Sequence, residues 1–247
     1  MRKVIFLTSA AAWLLLVTRF GGGANHSGAA GTHALMHGSL RAARPAMLIA
    51  RYTTEWAVMI AAMMGPALME PLDYIHQHSF ASRRGRSMLA FVAGYGSAWM
   101  LIGWALLGLL TLVEFAARRW HLLPAGFMIV TVVWQCSPIK QRCLNRCHAQ
   151  YPLPVFGVAA EFAACRFGLA HGMWCVGSCW AVMALPMLLP TGRAAVMAVG
   201  TLLVFSERLE HPAPLAWRWR GFGRLSRLLI ARARIRLAPL VRARDQC

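Results

Sequence analysis

Apolar runs close to twenty residues long recur along this chain, and they decide its fold class before any motif is considered. A helix crossing a bilayer needs about 20 apolar residues. Such runs lie at about residues 4–20, 52–72, 88–113, 121–136, 168–189 and 192–207, the third being the cleanest by length. Backbone groups in hydrocarbon must bond internally, which leaves helices or closed barrels, and continuous rather than alternating runs select helices. Only 14% of residues are charged, against about 25% in soluble domains, so the reading of one large soluble domain fails. We expect an all-α, polytopic transmembrane helical bundle of about six spans, five if the N-terminal segment is cleaved.

The expected organisation has four parts. Residues 1–20 form a first span or signal anchor behind the basic pair Arg2-Lys3, with no clean A-x-A cleavage site in the Gly/Ala-rich stretch that follows. Residues 21–50 are an outer loop carrying His26, His33, Met36 and His37. Residues 51–212 make a metal-binding membrane domain, whose long apolar stretch divides into an interfacial piece (155–167) and a span (168–189) around Glu161 and Arg166. Residues 213–247 are an arginine-rich cytoplasmic tail expected to bind anionic headgroups. No internal repeat is present.

The formal net charge of +18 could suggest nucleic acid. The basic residues flank apolar runs, however, and there they report topology. With the N-terminus inside, eighteen Lys and Arg fall on inner segments and seven on outer ones, the tail supplying most of the difference. Both termini are therefore expected in the cytoplasm of a bacterial inner membrane, with no nucleic-acid partner.

Six of the seven cysteines fall between residues 136 and 179. In HGMWCVGSCWAVM, His171, Cys175, Cys179 and Met183 step by four, a spacing that drifts slowly around a helix and makes one slanting stripe. Each step rises about 6 Å, so one ion takes at most two neighbours of the stripe and needs a second element. The second span supplies Met59, Met63 and Met64, expected at matching depth with Met59 and Met63 facing Cys175 and Cys179. In CSPIKQRCLNRC, which opens a polar loop expected to run to about residue 154, Cys143 and Cys147 are again four apart, beside Lys140, Arg142 and Arg146, which are expected to favour thiolate. Thiolate and thioether donors select Cu(I), with zinc possible where sulfur dominates, and eight acidic residues offer little to hard cations. Two other readings stay open: a structural or assembly membrane protein without metal, and a membrane thiol–disulfide oxidoreductase, the latter disfavoured because no C-x-x-C pair occurs.

Three motifs together resemble a family of predicted metal-binding integral membrane proteins, formerly a domain of unknown function and described as copper-chaperone-like. They are W-A-V-M-x-x-A-M-M-x-P (Trp56 to Pro66), P-x-K-x-x-C-L-x-x-C (Pro138 to Cys147) and G-x-x-x-G-x-x-C-x-G-x-C-W-x-x-M (Gly168 to Met183), the third being the most specific. Glu207-Arg208 resembles the family's acidic-basic pair after the last span. This chain departs in having Ser178 where a second adjacent cysteine is common, and His148 where a basic residue is expected. The resemblance implies a non-enzymatic copper handler that supplies an extracytoplasmic copper enzyme.

Overall fold

The structure is a computed structural model that describes residues 2–20, 45–116, 123–149, 151, 152, 154, 157–189, 192–221 and a few positions between 223 and 232. The outer loop with His26, His33, Met36 and His37, and the end of the tail, lie outside the described residues. The described residues form helices and no strand. In chain order these are α1 (Arg2–Phe20), α2 (Pro45–Met64), a 3₁₀ turn (Gly65–Leu68), α3 (Met69–His78), α4 (Arg84–Ala116), α5 (Leu123–Cys136), α6 (Pro138–Cys147), α7 (Gly157–Leu188) and α8 (Arg193–Arg208). Three stretches are long and apolar enough to cross a membrane, Ile49–His78, Arg84–Leu109 and Ala159–Leu188. Lys3–Thr18 and Leu123–Cys136 are shorter apolar helices.

The bundle is organised around the pair α4 and α7, its most extensive helix contact. Glycines make that contact possible. A Cβ on Gly168 would lie 2.1 Å from the carbonyl oxygen of Phe91, one on Gly94 would lie 2.2 Å from that of Cys165, and one on Gly172 would lie 2.8 Å from Cβ of Ala98. Small residues four apart let two helix backbones touch, as Gly168 and Gly172 do here. The α7 helix also runs unbroken through the point where the sequence suggested a division. Glu161 is satisfied there by Arg86 of α4, at 3.1 Å, so the charge needs no break in the helix.

At Gly65-Pro66 the second apolar stretch tightens into a 3₁₀ turn and continues as α3. Proline has no N–H to extend the α-helical ladder. The α1 helix is fastened beside this turn, Ser9 donating from Oγ to the carbonyl of Ala62 at 2.8 Å. Across the bundle, Trp56 donates from Nε1 to the carbonyl of Trp99 at 2.9 Å, and Tyr52 donates to that of Gly103 at 2.8 Å. These bonds fix the rotation of α2 against α4.

The polar cysteine-bearing segment, read from sequence as a loop, holds the helix α6. Ser137 caps it, accepting from the backbone N–H of Ile139 at 3.1 Å, and Pro138 occupies the first helical position. Lys140, Gln141, Cys143, Leu144 and Cys147 are its buried residues. The start of the tail crosses α6 as an extended strap. Gln141 donates to the carbonyls of Ala216 at 2.6 Å and Arg218 at 3.1 Å, and Asn145 donates to that of Ala213 at 2.8 Å. Residues 213–218 are thus held by protein hydrogen bonds.

Replacing Gly168 by Val forces α4 and α7 apart and is expected to lower stability by about 1–3 kcal/mol. Gly126→Ala, at a helical position with nothing within 4 Å, is expected to leave it unchanged or slightly raised. Thermal unfolding of the two purified variants in detergent checks the contrast.

Candidate metal centre

Five helices bring sulfur and polar groups together inside the bundle. The stripe on α7 faces inward: Cys175 and Met183 are 0% exposed, Cys179 1% and His171 4%. Sγ of Cys175 lies 3.9 Å from Sδ of Met64, the last residue of α2, and 3.2 Å from the hydroxyl of Tyr95 on α4. Cys179, one turn on, donates to the carbonyl of Cys175 at 3.0 Å. From α6, Cys143 packs onto Gly177, where a Cβ would sit 2.6 Å from its Sγ, and Cys147 is buried near Ser178, whose hydroxyl donates to the carbonyl of Cys175 at 2.7 Å. The guanidinium of Arg208, at the end of α8, faces Cys147, Cys175, Cys179 and Tyr95.

The expected residues do not all meet. Met64 is the methionine that reaches Cys175. Met63 turns toward α8, its Cε 3.4 Å from where a Cβ on Gly200 would lie. Met59 lines a small pocket with Met187 and Met197 beside Pro186 and Arg193. The α7 stripe from His171 to Met187 covers about 24 Å at 1.5 Å per residue, so Met187, and with it Met59, stands at the far end of the stripe from His171. Only the Met59 part of the expected pairing is corrected in register, and the helical turn before Gly65 places Met64 beside the first cysteine. Tyr95 and Arg208 complete the surroundings of Cys175, and neither was singled out from the sequence as a site residue. The i, i+7 spacing of Phe91 and Ala98 on either side of Tyr95, against the Gly168–Gly172 face, was the available signal for Tyr95.

Among the described residues, no three His, Cys, Asp or Glu side chains gather to hold a metal ion. A closed zinc shell of such ligands is therefore not assembled there. A shell that mixes thiol and thioether is a different case. With sulfurs 3.9 Å apart and a metal–sulfur bond of about 2.3 Å, one ion between them subtends about 115°, close to trigonal. Cys175 and Met64 thus offer soft donors at a spacing one ion can bridge.

The electrostatics of α6 differ from the sequence expectation. Burial pushes the Cys143 thiol up, outweighing Arg142, and pushes Cys147 up to about 12 against the opposing pull of Arg208. The basic neighbours fail to favour thiolate because they are committed or too exposed. Lys140 is buried in a salt bridge with Glu207 of α8 and donates to Gln135 Oε1 of α5 at 2.6 Å. Arg146 lies over the Trp174 ring at 5.8 Å, and Arg142 is exposed. These thiols therefore keep their protons near neutrality until a metal displaces them.

A cavity of about 540 Å³ opens beside the cysteines. Its walls include Glu70 and Asp73 of α3, Cys147 and His148 at the end of α6, His171 of α7 and Arg208 of α8. His171 is held among Phe91, Phe167 and Tyr95, at 6.0, 6.0 and 6.1 Å between ring centroids.

A helical bundle that buries a thiol against a thioether, beside further free cysteines, has the donor set of proteins that handle soft metal ions. The copper chaperone family PpoB2 matches residues 53–228, which include every residue named in this centre, and the chain belongs to that family. No curated protein and no solved structure matches it.

The Lys140–Glu207 pair ties α6 to α8 behind the cysteines. Lys140→Met leaves Glu207 buried without its partner and is expected to cost about 3–5 kcal/mol, whereas the double variant Lys140→Met/Glu207→Leu is expected to recover most of that loss. Chemical denaturation of the three proteins in detergent measures the difference.

Proposed function

We propose that this protein is a multi-pass membrane copper chaperone that holds Cu(I) as cargo between Cys175 and Met64 and passes it to an extracytoplasmic copper protein. The 3.9 Å approach of the two sulfurs carries this reading. Family membership supports copper handling and points to a non-catalytic protein. Exposed apolar side chains along the helices, such as Leu89, Leu101, Leu112 and Ile129, support insertion into a bilayer. In this reading α1, α2, α4, α5, α7 and α8 are the six spans, both termini lie in the cytoplasm, and the arginines beyond the strap meet anionic headgroups.

Charge supports a monovalent cargo. Arginine stays protonated in proteins, so Arg208 adds one positive charge to the centre. Cu(I) held by Cys175, Met64 and a second thiolate, Cys147 or Cys179, as the third donor of a trigonal shell carries net charge −1, and Arg208 makes the buried group neutral. A divalent ion in the same shell leaves a net positive charge in a low-dielectric interior, where unpaired charge is costly. His171 and Cys147 then serve exchange at the cavity, Cys143 supplies a further thiol against Gly177, and Met183, Met63 and Met59 continue a soft-donor lining toward the far end.

Copper(I) titration of the reduced, detergent-purified protein against a chromophoric chelator tests the assignment. Cys175→Ser is expected to weaken binding about 100-fold or more, Met64→Leu about tenfold, and Met59→Leu hardly at all; tenfold corresponds to about 1.4 kcal/mol. A Cys175→Ser protein with wild-type affinity overturns the centre.

A further inference from the structure

Buried polar atoms in native proteins nearly always have a hydrogen-bond partner, and exceptions mark a missing ligand, water or ion. Among the described residues, the buried side-chain nitrogens without a partner include Nε2 of His148, Nε2 of His171, and Nε and Nη2 of Arg208. All three residues line the same cavity of about 540 Å³. Nε with one terminal nitrogen forms the edge of a guanidinium that donates two parallel hydrogen bonds to a carboxylate. The α3 wall is of opposite sign, with Glu70 and Asp73. Cys147 lies on the basic side, next to His148.

We propose that this cavity is a binding site for a small zwitterionic thiol, which brings Cu(I) to the protein as its thiolate complex. The inference rests on the copper reading above and names the form in which the cargo arrives. Each part of the ligand answers a part of the wall. A carboxylate sits on the Arg208 edge with the histidine nitrogens beside it. An ammonium group is held by the acidic α3 wall. A thiol is the soft donor that keeps Cu(I) in solution. The volume falls within the range of small-molecule pockets, about 300–1,000 Å³. Transfer is ligand exchange without electron movement: Cys147 gives up its proton and bonds the ion, one carrier thiolate leaves, and that thiolate takes up the proton. Cys147 and Cys175 both face Arg208, so the ion passes from the cavity wall to the buried pair without leaving the field of that cation.

The metal-free protein in detergent, titrated calorimetrically with S-methylglutathione, tests the site apart from copper. This probe keeps the carboxylates and the ammonium group and carries no metal. The expected result is saturable binding, weakened about tenfold when the carboxylates are esterified, about tenfold by Arg208→Gln and less by Glu70→Gln, as for loss of a charge-assisted hydrogen bond. Glu70 is exposed, so its variant tests the cavity even if Arg208→Gln fails to fold. In the wild type, reduced glutathione is expected to deliver Cu(I) faster than its esterified form at equal copper. Absence of S-methylglutathione binding, equal binding of the ester, indifference to both variants, or a copurified phospholipid that glutathione does not displace would each overturn the proposal. If instead the probe binds while Cys175→Ser keeps full copper affinity, the cavity stands and the buried copper centre falls.

Discussion

Backbone contact between α4 and α7 is the constraint on which the rest of this structure depends. It exists only because Gly94, Gly168 and Gly172 carry no side chain where the helices cross. At that separation Tyr95 reaches Cys175, and the rings of Phe91 and Tyr95 enclose His171. The thiols and His171 of α7 therefore face a wall set by glycine, and a methyl group on α7 at residue 168 would displace that wall. The G-x-x-x-G part of the motif packs the two helices, and the cysteines that follow it are buried behind that contact.

Charge makes the second layer. Two buried ionisable groups, Lys140 and Glu207, and the half-buried Arg208, whose Nε and Nη2 are covered, stand at the junction of α6 and α8. Lys140 and Glu207 answer each other, and Gln135 donates to the same carboxylate at 3.1 Å. Arg208 is left to face the thiols. Neighbouring residues in the sequence thus divide into one that fastens the helices and one that sets the field around sulfur. The strap that follows accepts hydrogen bonds from Gln141 and Asn145, two positions of the α6 motif that bear no thiol. The α6 helix is gripped on one side by α7 and on the other by the tail's first residues, which holds Cys143 and Cys147 in register with α7.

The helical class and most element positions were legible in the sequence because apolar length and continuity are local properties. The inward face of α7 was equally legible: a step of four keeps His171, Cys175, Cys179 and Met183 on one stripe, and all four are buried. The α6 helix was missed because its ten residues are too polar for a hydropathy reading, although Ser137-Pro138 is a helix start. The division of the long apolar stretch failed for a related reason. Glu161 resembles a boundary in isolation, but Arg86 satisfies it across the helix pair.

The sequence by itself determined which side chains this protein can offer a soft ion: thiols and thioethers at helical spacing in apolar surroundings, with few oxygen donors. It could not determine which of them meet. Met59, Met63 and Met64 are near-equivalent in the chain, and only the turn at Gly65-Pro66, together with the rotation fixed by Tyr52 and Trp56, aims Met64 at Cys175. Nor could it set the protonation of the α6 thiols, since basic neighbours in sequence are outweighed by burial in space. Donor type is a property of residues, whereas proximity and dielectric belong to the packed bundle, and the tertiary structure decided both.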